Sequence, residues 1–248
     1  MYDKVKYLPA GDKALIIEFG NEISIEINAK IRNVVKFINE AKIEGIEEIV
    51  PTYRSIQLLY NPLKISYSKL IEKVDILYNK PIENKEDNIR IFKIPTLYGN
   101  EYGPDINYVA EHNHLTLEEV IKIHTRTDYL VYMLGFTPGF TYLGGMSERI
   151  ATPRLSSPRT KIPAGSVGIA GSQTGMYPSE TPGGWQLIGR TPLRLYAPNR
   201  EPPVFLNAGD YVRFVSITEE EYKDIQKQVE EDNYKVKVIT PERGEHDD

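Results

Sequence analysis

Between Gly135 and Gly189 the chain holds eleven of its 18 glycines, interrupted by Pro138, Pro153, Pro158, Pro163, Pro178 and Pro182. Proline fixes φ and removes a backbone donor, while glycine opens the left-handed region that other residues avoid. No long helix can cross such a stretch, and no strand can run far in it before turning. Residues 132–194 must therefore be short strands joined by tight loops, whose own amides and carbonyls lie open to a ligand. Among the turns stand side chains suited to planar anions and amides: Arg154, Arg159, Gln173, Tyr177, Trp185 and Arg190. Trp185, the only tryptophan, directly follows Gly183 and Gly184. Glycine lets backbone or ligand approach closely, which favours a pocket wall for this ring over a place in the core.

The rest of the chain divides near residue 85. Before it, residues 14–19, 46–50 and 55–60 read as strands. Ile27, Ile31, Val34, Val35 and Ile38 are spaced for one face of a helix, as are Leu70, Ile71, Val74 and Leu77. Two helices on a small, mostly antiparallel sheet are the natural packing. Residues 79–88 (NKPIENKEDN) are polar, charged and broken by Pro81, so the boundary belongs there, with domains at 1–85 and 86–248. Beyond it, residues 89–95 read as a strand. Residues 105–125 read as one helical region, in which Thr116 and Glu119 have the spacing of a capping box. Short strands are expected at 129–134, 167–170, 185–189, 193–196 and 211–216, then a charged helix at 218–232 and a strand at 234–239. Many short strands with Gly and Pro punctuation mean a barrel or sandwich.

Composition removes several classes of function. The net charge of −5, with no basic cluster, argues against a nucleic-acid surface. Absence of cysteine excludes a disulfide framework, a thiolate nucleophile and cysteine-bound metal. No apolar run is long enough for a signal peptide or a membrane span, so a soluble cytoplasmic protein is expected. His112 and His114 flank Asn113, but a metal site needs three or four converging ligands, and none is expected here. His124 shares a helix side with Val120 and Ile121 and reads as a packed histidine. GSVGIAGS lacks the Walker lysine, and there is no GxSxG nucleophile elbow.

Arg154 and Arg159 each follow a proline, so their guanidinium groups leave rigid backbone and lose less entropy on gripping an anion. Gln173 and Thr174 are partners for an amide, Tyr177 brings a phenol, and Trp185 brings a stacking plane. Together they suit a small polar ring compound. In FTPGFTYLGG, Phe136, Pro138 and Tyr142 are candidates for a pocket rim, whereas Phe140 and Leu143 read as core.

The segments YGNEYGPD, VYMLGFTPGFTYLGG, ATPRLSSPRTKIPAGSVGIAGSQTGMYPSETPGGWQLIGRTPLRLY and LNAGDYVRFV resemble the bacterial PxpB/KipI family, the B subunits of ATP-dependent 5-oxoprolinase. The same domain is called allophanate hydrolase subunit 1 or carboxyltransferase subdomain C. The resemblance implies an α+β protein, with a small α/β sandwich N-terminal domain followed by a cyclophilin-like β-barrel domain. It implies the A and C subunits as partners, 5-oxoproline as substrate, and opening of the lactam to glutamate with ATP hydrolysis. ATP would be held somewhere in the shared complex, with Mg left open beside it. On this reading Arg154, Arg159 and Gln173 are the catalytic candidates. Phe136, Pro138, Thr174, Tyr177, Trp185 and Arg190 are the candidates for substrate binding, and the chain itself holds no metal. Two other readings stay open. One is a regulator, since the namesake KipI inhibits a sporulation histidine kinase and the aromatic rim would then dock protein. The other is a carboxyltransferase-like module, by similarity to the domain fused in urea carboxylases.

Overall fold

The computed structural model describes residues 1–81, 89–135 and 137–240. Phe136 and most of the expected linker, residues 82–88, lie outside the described residues, as does the C-terminal stretch 241–248. The chain divides into two compact units, Met1–Asp87 and Asn88–Asp248.

In the first unit β1 (Lys6–Pro9), β2 (Ala14–Glu18), β3 (Ile46–Pro51) and β4 (Ser55–Tyr60) form an antiparallel sheet in the order β1-β2-β4-β3. Period-2 alternation turns Leu15 and Ile17 of β2, and Ile56 and Leu58 of β4, into a common core. Two helices complete it, α1 (Ile25–Ala41) with Ile27, Ile31, Val34 and Ile38, and α2 (Tyr67–Tyr78) with Leu70, Val74 and Leu77. Each such residue, once fully buried, contributes about 1.5–3 kcal/mol. Ser24 and Ser66 start the helices by accepting from the amides of Ile27 and Lys69. The unexpected strand is β1. It is a largely exposed edge strand ending in Pro9, so it carries no alternating apolar signal.

The second unit contains β5 (Ile91–Tyr98), α3 (Ile106–His112), α4 (Leu117–Arg126), β6 (Tyr129–Leu134), β7 (Thr141–Gly144), β8 (Arg159–Ile162), β9 (Ser166–Ala170), β10 (Gln173–Met176), β11 (Thr181–Gly183), β12 (Gln186–Arg190), β13 (Tyr211–Ser216), α5 (Glu219–Glu230) and β14 (Val238–Ile239). The main sheet runs β10-β9-β12-β5-β13-β6-β7, with β14 also on β5, and only the β5–β13 pair is parallel. Its two ends, β7 and β10, lie alongside each other, so the sheet is nearly closed into a barrel. Ile94, Val131, Val167, Ile169, Met176, Ile188, Val212 and Phe214 fill it. β8 and β11 form a separate two-stranded ribbon. The fold class is thus the expected α+β arrangement of a small sandwich unit and a cyclophilin-like barrel.

Three local expectations are corrected. Residues 105–125 form two helices, because Asn113 caps α3 through the carbonyl of Val109 and His114 takes a left-handed φ of 56°. Residues 193–196 make no strand: the Arg200 guanidinium collects the carbonyls of Arg194, Leu195, Pro202 and Pro203, and Tyr196 makes only a single bridge, to Val204. In 234–239 only Val238 and Ile239 pair, with β5. The expected capping box of α4 is present, with Glu119 Oε2 accepting from the Thr116 amide at 2.8 Å.

Candidate functional site

The Pro-Gly of TPGF makes a tight turn. The Phe140 amide donates to the Thr137 carbonyl at 3.0 Å, and Gly139 supplies the φ of +82° that such a turn requires at its third position. Beside β7, the β9–β10 hairpin turns at Gly171 and Ser172 and presents Gln173. Between these loops lies a cavity of about 240 Å³ lined by Gly135, Thr137, Phe140, Tyr142, Arg154, Gln173, Tyr177, Thr181, Pro182, Gly183, Gly184 and Trp185.

Three rings form its apolar wall. Phe140, Tyr177 and Trp185 meet pairwise edge to face, with centroids 6.0, 6.0 and 6.1 Å apart. Two glycines make room for them. A Cβ on Gly183 would lie 2.6 Å from the Tyr177 hydroxyl, and one on Gly175 would lie 3.1 Å from the Trp185 ring. The Arg154 guanidinium stands 5.9 Å from the Trp185 ring centroid, within cation–π range. Burial raises the pKa of the Tyr177 phenol, opposed by the positive charges of Arg154 and Arg159. Tyr177 therefore enters the site as a neutral hydroxyl. A half-enclosed apolar box with one guanidinium and one amide can hold a small planar ring that carries an anion and an amide-like edge.

The fold brings together Arg154, Gln173, Tyr177 and Trp185 from the sequence candidates. Tyr142 joins them, and so does Phe140, which by sequence reads as core. The remaining candidates are placed elsewhere. Thr174 is buried on the opposite face of β10, where it donates to the Gly168 carbonyl at 3.1 Å and meets His124 Nε2 at 2.8 Å. Neighbouring residues of a strand point to opposite faces, so Gln173 and Thr174 cannot share the cavity. Arg190 lies at the far end of β12, with its guanidinium 5.4 Å from the Tyr102 ring. Pro138 is exposed at the tip of its turn. Arg159 is outside the lining and committed to two acceptors, the Asp105 carboxylate at 2.6 Å and the Trp185 carbonyl at 3.3 Å.

Asp105 is the residue that sequence reasoning passes over. The YGNEYGPD segment ends on it, but nothing local shows where its carboxylate goes. His124 is the packed residue it reads as, inside the barrel at 0% exposure. Thr174 is a donor to Gly168, so His124 Nε2 is the donor to Thr174, and Nδ1 accepts from the Tyr98 hydroxyl at 2.7 Å. Burial lowers the His124 pKa to about 3, so the ring is neutral.

The carboxyltransferase domain family, subdomains C and D, matches residues 5–206. The chain belongs to this family. Within it, the 5-oxoprolinase B subunit of Bacillus subtilis (strain 168) is 49% identical over 222 residues, spanning 86% of this chain and 92% of that protein. A crystal structure of TTHA0988 shares 35% identity and superposes with a TM-score of 0.75, over 83% of this chain and 40% of that longer one. The Kluyveromyces lactis urea amidolyase, 23% identical with a TM-score of 0.76 over 95% of this chain and 16% of its own, shares the fold. Among the described residues no helix is long and apolar enough to cross a membrane, and no three His, Asp or Glu side chains converge as a metal site would require.

Proposed function

We propose that the chain is the B subunit of a cytoplasmic ATP-dependent 5-oxoprolinase, acting with the A and C subunits to open 5-oxo-L-proline to L-glutamate. The carrying observation is the 49% identity to a protein of that name over 92% of its length. The cavity supports the same reading. In it the lactam ring lies against Phe140, Tyr177 and Trp185, Arg154 takes the carboxylate, and Gln173 meets the amide edge. The aromatic wall keeps water from the ring, which strengthens the polar contacts that hold it.

ATP does not fit this cavity. At about 240 Å³ it lies below the roughly 300–1,000 Å³ of ordinary ligand pockets, and its lining includes one cation, Arg154, and no lysine. The nucleotide, with any Mg, is therefore sought outside this cavity, elsewhere in the complex with the A and C subunits. A segment equivalent to this chain forms 40% of TTHA0988, which agrees with a domain that works beside further polypeptide.

Glutamate formation from 5-oxoproline and ATP is expected only when the chain is mixed with its A and C partners. Arg154→Ala should lower kcat/KM at least about tenfold, or about 1.4 kcal/mol in barrier. A folded, complete mixture without turnover would sink the function. Turnover unchanged in Arg154→Ala would remove Arg154 from the site.

A further inference from the structure

We propose that Asp105 is a positioning residue for the cavity, acting through Arg159 to clamp the β8–β11 ribbon to the backbone of Trp185, just before β12. The proposal rests on reading the cavity as the substrate site.

Asp105 stands at the N-cap position of α3 yet makes no side-chain capping bond. Its carboxylate is used elsewhere. Oδ1 accepts from Arg159 Nη2 at 2.6 Å and Oδ2 from the Leu187 amide at 2.6 Å, while its own amide donates to the Leu187 carbonyl at 2.9 Å. β5 pairs with β12 only at Gly189 and Arg190, so at Leu187 Asp105 takes the place of the missing strand neighbour. Arg159 then spans the gap. It starts β8 and reaches the carbonyl of Trp185 with Nη1 at 3.3 Å. β8 pairs with β11, which supplies Thr181, Pro182 and Gly183 to the cavity.

β11 and Trp185, consecutive in the chain apart from Gly184, are therefore clamped from the β8 side by one guanidinium whose orientation depends on one carboxylate. The Asp105 side chain is 13% exposed and that of Arg159 30%, so water screens the pair less than a surface ion pair. A planar guanidinium with two fixed acceptors has little freedom left. Removing the charge of Asp105 releases Arg159, and with it the hold of the ribbon on the Trp185 backbone.

Trp185 is the only tryptophan, so its fluorescence reads this site alone. Asp105→Asn keeps an acceptor for the Leu187 amide but loses the ion pair. In the full chain its Trp185 emission should shift to the red and acrylamide quenching should rise, with far-ultraviolet circular dichroism unchanged. In the complex with the A and C subunits, KM for 5-oxoproline should rise about tenfold, the cost of one charge-assisted hydrogen bond, while kcat falls much less. Arg159→Lys, which keeps the charge but loses the fork, should reproduce both changes, and the double variant should be no worse than either single one. If Asp105→Asn does not fold, Arg159→Lys gives the same readings. Unchanged Trp185 emission and quenching in a folded variant, or additive effects in the double variant, would overturn the proposal. An inactive wild-type complex would instead remove the assigned reaction, and the Trp185 measurements would still decide whether Asp105 and Arg159 hold the Trp185 backbone.

Discussion

Between pH 6.5 and pH 5 the second unit is expected to lose roughly 2 kcal/mol of stability through His124 alone, before most carboxylates begin to protonate. The folded ring has its pKa lowered to about 3 by burial, against the ordinary 6.5 of an unfolded chain. Well above pH 6.5 both states are neutral at this residue and it contributes no pH dependence. Below that value the unfolded chain takes up a proton that the folded one refuses, so stability falls with pH until the folded pKa is reached. Over the whole interval the loss is roughly 5 kcal/mol, at about 1.4 kcal/mol per pH unit. Protonation is refused for a structural reason. Nε2 already donates to Thr174, while Nδ1 must accept from the Tyr98 hydroxyl, and Tyr129 and Phe214 close off the ring at 5.5 and 4.5 Å. A second ring proton would leave Nδ1 facing a hydroxyl with its own proton inward. Urea midpoints measured from pH 7 to pH 5 should fall steeply for the wild type and much less for His124→Gln. Parallel curves for the two proteins would refute this account.

The second large effect concerns Gly103, two residues before Asp105. A Cβ there would lie 2.0 Å from the Ile188 carbonyl oxygen and 2.7 Å from the Gly189 amide nitrogen. Its φ is not in the left-handed region, so the requirement is for space, not for conformation. Nor can the obstacle yield, since both atoms belong to the backbone of β12. The loop is held to that strand by the Gly99 amide on the Ile188 carbonyl at 3.1 Å and the Asp105 amide on the Leu187 carbonyl at 2.9 Å. Gly103→Ala should therefore cost about 3 kcal/mol or more and lower Tm by about 10 °C. Gly184→Ala is the control, since its nearest contact would be an ordinary 3.6 Å. Calorimetry that places Gly103→Ala within about 2 °C of the wild type would refute the steric argument.

What is legible in the sequence is local. Ile27, Ile31, Val34 and Ile38 are buried on one face of α1, as their spacing requires. Thr116 and Glu119 form the capping box, and the Pro-Gly of TPGF makes the turn that its residues prescribe. The ribbon β8–β11 is not legible, because Pro158, Pro163, Pro178 and Pro182 hide two short strands among turn signals. With β10 unrecognised as a strand, Gln173 and Thr174 read as neighbours in one site, though the pleat sends them to opposite faces. Phe140 reads as core and lies at the boundary, one edge on Trp185 and another on the cavity.

The sequence by itself determined the two-part α+β organisation, the caps and faces of the main helices, and the concentration of turns and recognising side chains in residues 132–194. Those properties follow from φ preferences, hydrophobic period and hydrogen bonds that close within a few residues. Only the tertiary structure decided which recognising side chains meet. Asp105 reaches Arg159 across 54 positions and Leu187 across 82, and His124 reaches Thr174 across 50. Contacts at such separations depend on strand order and register, and a shift of one residue turns every side chain to the other face. That register leaves Arg154 and Gln173 in the cavity, turns Thr174 into the barrel, and commits Arg159 to Asp105.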